Sequence, residues 1–127
     1  MLMSDDVGGR GHQRFVDWYS TLSEEDQDEM TARVEVLEAG GPGLGRPMVD
    51  QVHQSRHAHM KELRVPGGLR VLFAFDPRRV AILLIGGDKS PDDPKSPNWN
   101  RWYDRYVPIG DDLYDVYLNE LREEGLF

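Results

Sequence analysis

Lys61, Arg64, Arg70 and Lys89 punctuate a stretch, His57 to Lys89, that is otherwise built from apolar runs and short turns. Cations held at fixed places on strands make a local anion site. Arg70 is the most informative of them. It interrupts the apolar run from Leu69 to Phe75, and an unpaired guanidinium buried there would cost several kcal/mol. Its side of the strand must therefore meet solvent, a carboxylate such as Glu62, or a bound anion. Lys89 follows Gly86-Gly87 at the end of the next apolar run, a position from which side chains reach into clefts. Trp102 and Tyr103 share i, i+3, i+4, i+7 spacing with Trp99 and Tyr106. On a helix, part of that aromatic set packs inward, and the rest is open to stack on a base. His57 and His59, at i and i+2, would share one strand face. No third ligand accompanies them, so no metal site is expected.

Positioning these groups takes strands and helices. Leu69, Val71, Phe73 and Phe75 alternate with Arg70, Leu72 and Ala74, which is strand periodicity. Asp76-Pro77-Arg78-Arg79 is a turn, and Val80 to Ile85 is apolar at every position, as in a central strand covered on both faces. The two runs form an antiparallel hairpin. His57 to Val65 reads as a preceding strand, and Met48 to Gln54 as loop or edge strand. Upstream, Phe15, Trp18, Tyr19 and Leu22 give one helix face within His12–Leu22. Ser23-Glu24-Glu25-Asp26 caps a second helix, which Gly40-Gly41-Pro42 ends. Downstream, Asn98 starts a short helix that Pro108 and Gly110 break, and Asp111 or Asp112 starts another. The expected fold is α+β: an antiparallel sheet of three to four strands, two N-terminal helices packed on it, and C-terminal helices. Residues 1–11 read as a flexible tail and 12–127 as one domain.

Composition narrows the function. The chain of 127 residues has no cysteine, so disulfides and thiolate metal sites are excluded. No apolar run reaches membrane-spanning length and no signal peptide is visible, so a cytoplasmic protein is expected. Net charge is −8, but residues 46–105 carry +4 between flanks of −7 and −5. Such a layout suits a local anion site better than long-range attraction to bulk nucleic acid. Neither a phosphate-binding Gly-x-x-x-x-Gly-Lys loop nor a Gly-x-Ser-x-Gly nucleophile elbow occurs.

Four ordered blocks go further: His59-Met60-Lys61-Glu62-Leu63-Arg64, Gly68 to Phe73, Ile85-Gly86-Gly87-Asp88-Lys89, and Trp99-Asn100-Arg101-Trp102-Tyr103. Together they resemble the RelE/ParE superfamily of type II toxins, and within it the HigB-like, phage-derived branch. The resemblance implies a ribosome-dependent mRNA endonuclease, or mRNA interferase. Such an enzyme needs no cofactor or metal: the 2′-hydroxyl attacks the adjacent phosphorus and leaves a 2′,3′-cyclic phosphate. It implies catalytic roles for Arg70, Lys89, Lys61 and Arg64, and RNA contacts from Arg56, His59, Trp102 and Tyr103. The implied partners are a cognate helix-turn-helix antitoxin, in a hetero-oligomer, and mRNA on the ribosome, with no membrane. Two alternatives stand beside it: a ParE-like DNA gyrase inhibitor, and an inactive relative that acts only in complex with its antitoxin.

Overall fold

The computed structural model describes residues 9–89 and 101–126. The chain runs through α1 (Gly9–Ser20), α2 (Glu24–Gly40), β1 (Val49–Gln51), β2 (Lys61–Val65), β3 (Leu69–Phe75), β4 (Ala81–Asp88) and α3 (Arg101–Glu123). Helix α1 takes in Gly9 and Gly11 of the expected tail. Residues 1–8, the Ser90–Pro97 connector, Asn98 and Trp99 lie outside the described residues.

The four strands form one antiparallel sheet in the order β1-β2-β3-β4. Its two faces carry separate apolar clusters. Leu63, Val65, Leu69, Val71 and Phe73 meet Phe15 of α1 and Met30, Val34 and Leu37 of α2. Met60, Leu72, Ala74, Ile82, Leu84 and Ile85 meet Trp102, Val107, Leu113, Tyr114, Tyr117 and Leu121 of α3. The result is helix–sheet–helix layering, with the core on both sides of the strands.

Local chemistry explains most boundaries. Ser23 Oγ accepts the Asp26 N–H at 3.1 Å and caps α2, whose first turn is acidic. Gly41, at φ +62°, closes it. Buried Asp76 accepts the N–H groups of Arg78 at 2.8 Å and Val80 at 3.1 Å, which shapes the β3–β4 turn.

Three sequence expectations change. Strand β2 begins at Lys61, not His57, because His57 is turned toward α3, where its Nε2 lies 2.8 Å from Asp115 Oδ1. Met60, just before β2, and Leu63 within it pack on opposite faces of the sheet, both of which are covered. Strand β4 stands at the sheet edge rather than its centre. It is apolar from Ala81 to Gly87 because helices pack on both of its faces, and α1, lying against β4 and α3 together, also shields the edge.

The third change is at the C-terminus, where one helix replaces the expected two. Pro108 sits exposed inside α3 and removes one backbone hydrogen bond. The apolar stripe of Val107, Leu113, Tyr117 and Leu121 runs on past it, and packing outweighs the local penalty. Gly110 is not a breaker but a point of close approach: a Cβ there would stand 3.1 Å from Leu72 Cδ1.

Strand β4 also holds an irregularity that aims the site. Leu72 pairs with Ile85 and Phe73 with Leu83, so Leu84 is an extra residue, a β-bulge. Ile82 and Leu84 face α3 before the bulge, and Ile85 faces it afterwards. Consequently Gly86 lies against Trp18 of α1, and Gly87 against Trp102 and Tyr106 of α3.

Candidate functional site

Register brings the cations together at the end of the sheet near the β2–β3 turn. Arg64 lies directly opposite Arg70, and Arg70 opposite Gly87. Residues so paired share a face, so both arginines project to the α3 side. Two residues beyond Gly87, and therefore on the same side, comes Lys89. Its Nζ is 5.3 Å from the centre of the Tyr103 ring, a cation–π separation.

Carboxylates temper the pair of opposed arginines. Glu62, 2% exposed, accepts Arg64 Nε at 2.9 Å through Oε1. Asp50 of β1, opposite Glu62, accepts Arg64 Nη2 at 3.1 Å. Its carboxyl pKa is lowered, chiefly by its hydrogen bond with Arg46. Glu62 thus partners Arg64 rather than Arg70. The Arg70 Nη1 donates to the Leu69 carbonyl at 3.0 Å. Arg70 Nε and Glu62 Oε2 are buried and have no hydrogen-bond partner among the described residues. Buried polar atoms left unsatisfied are uncommon and make this pair a candidate for contact with a ligand.

Helix α3 supplies the aromatic wall. Trp102 is buried, stacked on Tyr106 with ring centres 4.9 Å apart and planes at 23°. It fits only because Gly87 lacks a Cβ, which would stand 2.6 Å from Trp102 Nε1. Tyr103 is part-buried. Burial raises its hydroxyl pKa, and neighbouring Glu62 raises it further, while Arg70 and Arg64 pull it down. Of the two aromatics expected to stack on bases, Trp102 therefore packs inward and Tyr103 keeps an open side. Lys89, expected to reach into a cleft, is 4% exposed and lies against Tyr103.

The remaining sequence candidates lie elsewhere. Lys61, opposite Phe73, is on the α1–α2 face of the sheet, away from Arg64 and Arg70. His59 lines a recess with Lys61 on that face. Arg56 is half-exposed and clamped to α3: its Nη2 donates to Asp112 Oδ1 at 2.9 Å and contacts Asp115. That clamp lowers the Asp115 pKa, and His57 adds to the effect. Arg56 and Tyr103 also line one recess with Gln54, Asp104 and Asp111. Sequence reasoning missed Asp50 and the β4 bulge. Asp50 lies in a segment too weakly patterned to reveal its pairing with Glu62. The bulge left no mark because every neighbouring residue is apolar.

Residues 17–115 match the family described as Phage derived protein Gp49-like (DUF891). The chain belongs to the Gp49-like family. It is 46% identical to "Putative toxin HigB3" of Mycobacterium tuberculosis over 102 residues, which cover 80% of this chain and 84% of that protein. It is 39% identical to "Putative toxin HigB2" of the same organism over 128 residues, covering 96% of this chain and 60% of that one. No solved structure matches. Family and relatives place this Gp49-like chain among the HigB-like toxins, and its layered α+β fold agrees with a RelE-like architecture. Among the described residues, no helix is long and apolar enough to cross a membrane.

Proposed function

We propose that this toxin of a toxin–antitoxin module is a ribosome-dependent mRNA endonuclease held in check by a helix-turn-helix antitoxin in the cytoplasm. The observation that carries the reading is the convergence of Arg64, Arg70 and Lys89 on one sheet face beside Tyr103. Cleavage by 2′-hydroxyl attack forms the 2′-O–P bond and breaks the P–O5′ bond. It needs a proton acceptor at the 2′-oxygen, positive charge on the phosphoryl oxygens and a proton donor for the 5′-oxygen. In this reading Arg70, with no carboxylate partner of its own among the described residues, holds the phosphate together with Arg64. Glu62, through its unpartnered Oε2, accepts the proton. Lys89 supplies one to the leaving oxygen, and Tyr103 offers its ring to a base.

Expression of the toxin without its antitoxin, followed by mapping of mRNA 5′ ends, tests this. Cuts inside translated codons are expected, and Arg70→Ala and Lys89→Ala should each remove them. Growth arrest with intact mRNA and damaged or over-supercoiled DNA would overturn the reading in favour of a gyrase inhibitor. One observation favours a second reading, a non-cutting relative that acts only through its antitoxin: Lys89 is buried and Arg64 is already held by Glu62 and Asp50. Absence of any growth effect would support that reading.

A further inference from the structure

The α1–α2 face of the sheet carries a second cationic recess. His59, Lys61, Phe75, Arg79 and Pro42 line a hollow of about 360 Å3, within the range of roughly 300–1,000 Å3 typical of ligand sites. No carboxylate lines it. Lys61 and Arg79 form no ion pair among the described residues, whereas Arg46, Arg56, Arg64 and Arg78 are each tied to an aspartate or glutamate. Arg79 is held over the recess by a turn in which it alone among described non-glycine residues has positive φ, +67°. Phe75 is part-buried, braced edge-on by Phe73 with ring centres 5.7 Å apart. Two permanent cations, a histidine and a braced ring side by side are the equipment for a phosphate with its base stacked.

We propose that this recess binds single-stranded RNA, two phosphates held by Lys61 and Arg79 and a base set on Phe75, as a contact separate from the Arg64–Arg70 face. A strand engaged here and at the opposite face would be gripped on both sides of the sheet. The inference extends the RNA-directed reading of the toxin, but its test measures binding rather than cutting.

Fluorescence anisotropy of a labelled 12-nucleotide oligouridine titrated with the purified full-length protein supplies that test. The Lys61→Gln/Arg79→Gly double variant should bind at least about tenfold more weakly at 50 mM salt. Its plot of log affinity against log salt should be shallower by about 1.4, since each phosphate contact on a single strand contributes about 0.7. Glycine accepts the positive φ of residue 79, and an unchanged near-ultraviolet circular dichroism spectrum verifies the fold. Phe75→Leu should weaken binding about fivefold or more with the salt slope unchanged, because stacking carries no charge. Arg70→Ala should leave the Lys61/Arg79 dependence intact, so a failed nuclease reading and a failed recess are distinguishable. Equal affinity and slope in the double variant would overturn the proposal. So would a recess that binds a polyglutamate peptide through Lys61 and Arg79 while RNA binding ignores both.

Discussion

Arg64 and Arg70 are the same residue type, directly opposite on neighbouring strands, yet their surroundings give them different work. Arg64 compensates a carboxylate that is almost wholly enclosed, while Arg70 donates a hydrogen bond only to a backbone carbonyl among the described residues. Removing one partner of a buried ion pair strands the other charge. Arg64→Ala should therefore lower unfolding stability by about 3 kcal/mol, and Arg70→Ala by less than half of that. Urea denaturation compares the two. Equal losses would mean that Glu62 does not depend on Arg64. The sequence showed that Arg70 needs a polar surrounding, and Glu62 was a named candidate for it. The partner came out differently because register, invisible in spacing alone, sets Glu62 opposite Leu72 rather than Arg70 and leaves it to its i+2 neighbour Arg64 on the same strand face.

At the scale of elements, alternation in β3, the cap of α2 and the Asp76 turn were all legible, since each rests on contacts within a few residues. The unbroken α3 and the position of β4 were not, because tertiary packing decides both. Pro108 and Gly110 are helix breakers by propensity, and the buried stripe around them overrides it. A glycine pair such as Gly86-Gly87 lets a backbone bend. Here both residues continue β4 instead, pressed between aromatic rings. Gly86→Ala would put a Cβ 2.2 Å from the Trp18 ring, and overpacking of that kind costs about 1–3 kcal/mol. A lower melting temperature and altered tryptophan circular dichroism are expected. Gly87→Ala should instead push Trp102 off the strand and reduce the activity of the site by more than its loss of stability explains. An unchanged melting temperature in the Gly86 variant would refute this account of the glycine pair.

Over the whole molecule, the aromatic hydroxyls of α3 couple stability to alkali. Burial raises the pKa of Tyr117 to about 12, and nearby Asp76 adds to it. Burial also raises Tyr103 and Tyr114. A folded-state pKa above the ordinary value of about 10 favours the protonated, folded form. That stabilisation is fully present below about pH 10 and is lost as pH rises through the folded value, about 12 for Tyr117. Melting temperature should fall across this window, and Tyr117→Phe should make the fall shallower. A flat profile would contradict the burial of these hydroxyls.

The extra residue in β4 has a genetic corollary. An in-frame deletion of the Leu84 codon would remove only the unpaired residue and keep Ile85 opposite Leu72 and Gly87 opposite Arg70. Plain alternation would return with Lys89 still on the Arg70 side, whereas one residue inserted after Ile85 would turn Lys89 to the opposite face and set Asp88 in its place. A toxin of this build thus tolerates the loss of three nucleotides from this wholly apolar run but is open to inactivation by the gain of three just after it, with each of its arginines and lysines still in the sequence.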